Sequence, residues 1–600
     1  MDFVRSLIGG CGRSTGRAVG SLILASTLVF GPSDASAQSA SQILPPTREQ
    51  VTRPAQPVPQ TRPRLEVEGG VERAPCALDG PEYKDIHLTL SSAEFEGLQG
   101  LAPADLTPAY ASYVGHDQPI SVVCEIRDRA ATILRNAGYI AAVQVPEQKI
   151  EGGVVHFRVL LAHLTQVRVR GEATGAEKAI AAYLNRLTKN PVFNRYEAER
   201  YLLLASDIPG YTVRLTLRPA GTTPGEVIGD VTVQRTPSYV DFNIENGGSR
   251  ELGRWGGLVR GQVFGLTGLG DRTTLSLFST ADFHEQQTIQ LGEDIRVGPE
   301  GLTLSGGFTY AWARPDVPDA DVKSTTLLGS FEAAYPFVRR QSQTVRGAVG
   351  MEYINQNVEL DHIALTRDRL RVGYVRLGAD AISSDFTKPG YSLTEPRWHL
   401  SGLIELRQGL NIFGATRPCG ATRCLDPSVV PPSRFEGDPT AAVLRSSAYG
   451  EFRPIPKLTF SLGAQMQYAW HPLLSFEEFS AGNYTVGRGY DPGALLGDRG
   501  WGTQAEIRYG SRIPQGAKKA AIEGYGFWDH VHVRNLDRLT EVDGRDYLNS
   551  IGAGARVNFD RFALDAALAV PLTRIGIDNR RPPTRFLVSL TSRLWPWSFQ

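Results

Sequence analysis

The sequence carries no excess of either charge. Its 63 basic residues balance 63 acidic ones over 600 positions, so it has no global basic field of the kind that gathers nucleic acid, and no nucleic-acid partner is expected. Beyond residue 37 there is no run of 18 or more apolar residues. This excludes a helical membrane span and leaves strands as the remaining way into a bilayer. Cysteine is scarce, with five in the chain; the 38 prolines and 63 glycines are too few for a collagenous repeat, and the 41% of hydrophobic residues are too many for a mainly disordered chain. The chain also lacks a Gly-x-Ser-x-Gly elbow, a His-Glu-x-x-His helix and a Gly-Lys-Ser/Thr phosphate loop, so neither catalysis nor a cofactor is expected. His530 and His532 stand two apart with no third ligand in sequence. An interfacial role suits them better than metal binding, and no metal site is expected.

The start of the chain reads as a targeting segment. Arg5, Arg13 and Arg17 precede the apolar run 18–30, and Ala35-Ser36-Ala37 has the small-x-small pattern of a secretory cleavage site, so residues 1–37 are predicted to be a signal peptide. Cys11 leaves with it. The other four cysteines form two close groups, Cys76 with Cys124 and Cys419 with Cys424. In an oxidising compartment such a set reads as two disulfides, with free thiols as the alternative. Residues 38–75 are rich in Pro, Gln and Arg and are expected to be an extended N-terminal linker that joins without forming a core.

Residues 76–164 and 165–235 read as two small α/β modules in tandem. In the first, 86–90 is a predicted strand, and a helix begins at Ser121 with Val122, Ile126, Ala130, Ile133, Leu134 and Ala137 at three- and four-residue spacing. Gly138 ends it, and strands are expected over 139–146 and 154–164 around a Gly152-Gly153 turn. The second module opens with a strand at 166–171. Two helices follow with capping-box spacing, Thr174 with Glu177 and Asn194 with Glu197, and strands 212–217 and 226–234 close it. The two share one order, an approximate internal repeat.

From 236 to 600 the texture is all-β. In 239–246, Val240, Phe242 and Ile244 alternate with Asp241, Asn243 and Glu245; in 551–559, Ile551, Ala553, Ala555, Val557 and Phe559 alternate with Arg556 and Asn558. This stretch is too long for a soluble sandwich, and all eight tryptophans lie after residue 250, as interfacial girdles require. Sixteen segments of about ten residues can be counted, an even number that lets an antiparallel transmembrane barrel begin and end on the periplasmic side around a wet lumen. Among them are 323–335, 343–355, 368–381, 501–510 and 519–530. Two connections exceed plain turns: 409–440, with Cys419 and Cys424, and 469–500, with VGRGYDPGALLGDRG. A flexible outer loop is one reading of this glycine-rich segment. In strand 13, Glu523, Tyr525, Phe527 and Asp529 share one face, opposite Ile522 and Trp528, which suit lipid; in strand 12, Gln504, Glu506 and Arg508 share a face. Asp529 would then face the lumen, where a carboxylate can accept the forked donors of Arg488, with Glu506 as a second acceptor.

Several stretches together resemble the two-partner secretion transporters, or haemolysin secretion and activation proteins, of the outer-membrane barrel superfamily with periplasmic POTRA modules. They are the two modules, GYIAAVQVPEQKIEGGVVHFRV, GLTGLGDRTTLSL, AAYPFVRRQS, VGRGY and FWD, and the resemblance covers residues 76–600. It implies that the loop carrying Val486, Arg488, Gly489 and Tyr490 folds back into the barrel, where its Arg meets the acidic residue of Phe527-Trp528-Asp529. It also implies an outer-membrane location, POTRA domains that capture an unfolded exoprotein such as a large adhesin or haemolysin, its export through the lumen, contact with outer-membrane lipid, and insertion by the barrel-assembly machinery. An assembly factor of the same superfamily usually has three or more such modules, and a passive porin needs none. The chain departs from the pattern in its extra Gly487 before Arg488 and in a terminal aromatic, Phe599, one residue from the end. Many members plug the pore with an N-terminal helix, whereas residues 38–60 show no helical face.

Overall fold

The computed structural model describes residues 45–53 and most of 76–596, with short omissions of which 538–544 is the longest. The predicted signal peptide, 1–37, and most of the predicted linker lie outside the described residues. Within 38–75 the structure corrects the linker reading at one place. Residues Arg48–Thr52 form a helical turn, α1, with Val51 fully buried.

The first module packs helix α2 (Val122–Asn136) against a three-stranded sheet in the order 92–96, 154–161, 141–144, the first pair parallel and the second antiparallel. The spacing read from the sequence holds: Val122, Ile126, Ala130 and Leu134 of α2 meet Val155, Phe157 and Val159 of the central strand in one core. The predicted strand at 86–90 does not head this sheet. His87–Thr89 instead pairs with 117–119 in a separate two-stranded ribbon, and Ser92–Glu96 takes the parallel place. Both segments are short, and only the partner strand distinguishes them. The second module packs α3 (Glu177–Leu187) and α4 (Arg195–Ser206) on strands ordered 163–171, 226–235, 211–219. Asn194 caps α4 by accepting the Tyr196 N–H at 2.9 Å. The Thr174–Glu177 box is not formed, because Ala176 is the cap residue and Glu177 accepts the Gly175 N–H instead.

Sixteen antiparallel strands then close on themselves. They are β1 (Ser238–Glu245), β2 (Gly256–Phe264), β3 (Arg272–Thr280), β4 (Gln286–Val297), β5 (Leu302–Ala313), β6 (Ala320–Arg339), β7 (Gln343–Leu360) and β8 (Ile363–Ile382), followed by β9 (Trp398–Gly409), β10 (Ala442–Ile455), β11 (Leu458–Ala469), β12 (Arg499–Gly510), β13 (Ala521–Arg534), β14 (Arg545–Phe559), β15 (Phe562–Pro571) and β16 (Arg585–Trp595). The alternation dictates the faces. Ile522, Leu462 and Phe586 stand outward and exposed, as a lipid-facing wall requires, whereas Asp241, Glu405, Glu506, Glu523 and Asp529 are buried inside. The hairpins of β6, β7 and β8 run 20, 18 and 20 residues. This exceeds the predicted 323–335, 343–355 and 368–381 and the 9–11 residues that cross a bilayer, so these hairpins rise above the outer surface. The seam between β16 and β1 has a register shift at Arg593/Trp595, and side chains reinforce it: Asn243 Nδ2 donates to Ser589 Oγ (3.0 Å) and Thr591 Oγ1 (2.9 Å), and Asn246 Nδ2 to the Phe586 carbonyl (2.7 Å).

The second module grips the periplasmic turns. Arg339 makes a forked pair with Asp207 (2.6 and 2.7 Å), Arg186 meets Glu300 (2.8 Å), and Glu199 accepts the Gln341 N–H. Gly175 touches Gly265 so closely that a Cβ there would lie 2.3 Å from the carbonyl oxygen, and both have positive φ. The strand ends beside this module are therefore the periplasmic ends, and the opposite ends face outward.

Cys76–Cys124 and Cys419–Cys424 are both disulfide-bonded, across 48 and 5 residues. Loop-closure entropy gives roughly 4 kcal/mol for the first and about 2 kcal/mol for the second. Replacing Cys76 and Cys124 with serine should therefore make residues 88–161 the first site of limited proteolysis in the full-length protein. Replacing Cys419 and Cys424 should alter cleavage only in 409–440.

Candidate functional site

The connection between β11 and β12 does not project outward. It turns back into the barrel through a 3-10 turn at Ser475–Glu477 and a short ribbon pairing 479–481 with 495–497, and it presents VGRGY to the inner wall of β12–β15. Gly487, with φ 116°, makes the reversal that lets Val486 and Arg488 both reach the wall. Val486 packs over Gly502, where a Cβ would sit 3.1 Å away; Gly489 lies so close to Ser550 and Pro571 that it too has no room for a side chain. Tyr490, fully buried, donates its hydroxyl to the Asn549 carbonyl (2.9 Å) and accepts the Thr573 N–H (2.8 Å).

Arg488 and Asp529 are brought together, and the extra glycine does not prevent it. Arg488 Nε and Nη2 donate to Asp529 Oδ2 (3.1 Å) and Oδ1 (2.6 Å), and its backbone N–H donates to Oδ2 (2.9 Å). Ser550 Oγ adds a fourth donor at 3.1 Å, so this wholly buried carboxylate is saturated. Nη1 of Arg488 pairs with Glu506, and the guanidinium lies 3.6 Å from the centre of the Phe527 ring. Glu506 is thus the second acceptor expected from the sequence, and Arg508 (2.7 Å) and Arg556 (3.2 Å) pair with it as well. Gln504 holds the loop at the Thr485 carbonyl (2.8 Å). His530 and His532 face outward, stacked with Trp501 and Trp528.

Two further tethers escaped the sequence analysis. The first is α1, which lies in the lumen. Arg48 pairs with Glu352 of β7 (2.9 Å) and with Glu477 of the inward loop, Arg53 pairs with Glu245 of β1 (3.0 Å) and covers Phe278, and Gln286 and Gln290 donate to the carbonyls of Gln50 and Thr52. Arg407 and Arg445 complete the ring around Glu477. The signal was present: Thr47 and Gln50 have capping-box spacing, and the box is formed. A five-residue turn is too short to show a periodic face. The second tether is Arg434, in the loop after β9, which clasps Asp498 (2.5 Å), Glu478 (3.0 Å) and Asp537 (2.7 Å). Its partners lie on two other connections, so no local spacing marks it.

Removing one member of a buried ion pair strands the other, at about 3–5 kcal/mol. Arg488→Ala and Asp529→Ala should each lower the heat-modification midpoint of the barrel on electrophoresis, and the double variant should cost less than the two singles together. Additive losses would mean that the pair does not act as a unit.

Comparison with known proteins agrees with this architecture. The family model described as haemolysin secretion/activation protein ShlB/FhaC/HecB matches residues 228–557, and the ShlB-type POTRA domain model matches 88–161. The chain is 22% identical over 546 residues to the heme/hemopexin transporter protein HuxB of Haemophilus influenzae (strain 86-028NP), covering 87% of this chain and 90% of that protein. It is 24% identical over 298 residues to the outer membrane transporter CdiB of Escherichia coli, covering 48% of this chain and 47% of that protein. Among solved structures, CdiB from Escherichia coli aligns with a TM-score of 0.70 at 15% identity, covering 88% of this chain and 94% of that one. CdiB from Acinetobacter baumannii aligns at 0.62 and 16% identity, covering 89% and 94%. With the closed barrel, the POTRA modules and a family model spanning more than half its length, the chain belongs to the haemolysin secretion/activation protein family ShlB/FhaC/HecB, the outer-membrane transporters of two-partner secretion.

Proposed function

We propose that residues 76–164 and 165–235 act as two POTRA domains that receive an unfolded exoprotein in the periplasm, and that the lumen of 236–600 conducts it to the cell surface. The edge strands 141–144 and 211–219 offer backbone donors and acceptors to an extended chain, a sequence-tolerant mode of capture. The barrel itself reaches the membrane through the barrel-assembly machinery. Arg488, held by Asp529 and Glu506 beside Phe527, anchors the inward loop in the position from which transport proceeds.

The observation that carries this reading is the kind of tether that fills the lumen. α1 is fixed largely by charge pairs and amide contacts, Arg48 to Glu352 and Glu477, Arg53 to Glu245, and Gln286 and Gln290 to its carbonyls, whereas the inward loop is also held by apolar packing. Such contacts can be exchanged for water or for a passing polypeptide without exposing a large apolar surface. The described arrangement is then the resting, plugged state, and export requires α1 to leave.

The double variant Arg48→Ala/Arg53→Ala should raise the open-channel probability in planar bilayers on the order of tenfold, the ratio for roughly 1.4 kcal/mol of lost tether. It should leave secretion of the partner protein intact, while Arg488→Ala abolishes secretion. Unchanged conductance in the first, together with unchanged secretion in the second, would overturn the proposal.

A further inference from the structure

The wall that holds α1 has the features of a receptor for polypeptide in general. Three inner-wall glutamines donate to main-chain carbonyls: Gln286 of β4 to Gln50 (3.0 Å), Gln290 of β4 to Thr52 (2.8 Å) and Val51 (3.3 Å), and Gln356 of β7 to Pro46 (3.2 Å). Every chain carries such carbonyls, so these contacts read no sequence. Side chains are read at three places. Glu352 and Glu477 take Arg48, Glu245 takes Arg53, and Val51 enters a cup formed by Ala311, Leu328, Ile354 and Phe476. The pattern recognised is a cation, an apolar residue and a second cation.

The wall keeps this preference when α1 is gone. Among the described residues Arg53 is the ion-pair partner of Glu245, and without Arg48 the carboxylates of Glu332, Glu352, Glu405 and Glu477 share the guanidinium groups of Arg376, Arg407 and Arg445. Carboxylates gathered in a cavity with low-dielectric walls attract cations more strongly than the same groups in open water. Arg48 and Arg53 are five residues apart, a rise of about 7.5 Å in a helix. An extended chain covers that distance in two or three residues, at roughly 3.3 Å each.

We propose that α1 is a built-in stand-in for the exported chain, and that Glu245, Glu352 and Glu477 with the three glutamines form a transit site for basic segments of the exoprotein. The segments that fit are extended and carry two Lys or Arg residues, two or three positions apart, on either side of an apolar residue. This rests on the reading of α1 as the plug and of the lumen as the conduit, and it adds the chemistry by which the passing chain displaces the plug. Each arginine of α1 that leaves a carboxylate is replaced by a cation of the segment, so no buried charge is stranded. An acidic segment finds no such compensation at the same wall.

The test records single channels of the full-length Arg48→Ala/Arg53→Ala variant in planar bilayers. Two synthetic peptides are added on the periplasmic side, Gly-Ser-Arg-Val-Gly-Arg-Ser-Gly and the same peptide with Glu in place of both Arg, and the block is extrapolated to zero voltage to remove electrophoretic bias. The basic peptide should half-block the current at a concentration about tenfold lower than the acidic one, as the gain of a charge-assisted contact implies. Raising the salt should shrink this ratio. Adding Glu245→Gln/Glu352→Gln to the same background should abolish it, with the heat-modification midpoint confirming that the barrel is folded. Equal block by the two peptides would overturn the proposal without recourse to any further variant, and would leave the plug and the conduit in place. A preference that survives the loss of both carboxylates would overturn it as well. Absence of block by either peptide in a conducting channel would overturn the conduit reading itself, and the proposal with it.

Discussion

Asp529 has no solvent-exposed surface, yet it sits on a strand whose other face is greased for lipid. A bare carboxylate in such a place would shed its charge or unfold the wall around it. Arg488 arrives from the connection between β11 and β12, folded inward rather than out, and supplies three of the four donors that saturate it. The rest of the lumen follows from this contact. The same loop brings Glu477 against the inner wall of β9 and β10, where Arg407, Arg445 and Arg48 converge on it. Through Arg48 the same contact decides where the N-terminal segment lies.

The lumen therefore holds one element packed into the wall, the inward loop, and one whose contacts are replaceable, α1. α1 has one apolar anchor, Val51, set among Leu328, Ile354 and Phe476. Its remaining contacts are ionic, amide or cation–π, through Arg48 and Arg53, the kind of contact that a hydrated polypeptide can take over. By contrast, the second module is joined to the periplasmic turns through the Arg339–Asp207 fork, the Gly175–Gly265 approach and burial of Phe264 in the module's own core. The structure divides itself accordingly into a rigid collar below and an exchangeable plug within.

How much of this the residues disclose in advance depends on the range of the interaction. The sixteen strands lie close to where alternation places them; β12 and β13 start within two residues of the expected 501 and 519. The lengths of β6–β8 were underestimated, because the strand pattern continues past the membrane with polar residues on both faces, and hydropathy alone cannot follow it. In the first module, 86–90 and 92–96 are equally strand-like, and parallel pairing with 154–161 chose the second. α1 was missed because one helical turn has no period to read, although its Thr47–Gln50 capping box was visible.

Alternation with period two determined, from the sequence alone, that the chain builds a closed wall with apolar residues outside and charges inside, and it put Glu506 and Asp529 on the inner face, because the parity of a strand is a local property. Tertiary structure decided which charges meet. Arg488 with Asp529 and Glu506, Arg48 with Glu352 and Glu477, and Arg434 with Asp498 and Asp537 are pairings across 18 to 429 residues. No local preference encodes such a distance; only closure of the barrel, which removes water and leaves each buried charge in need of a partner, selects among the possible pairs.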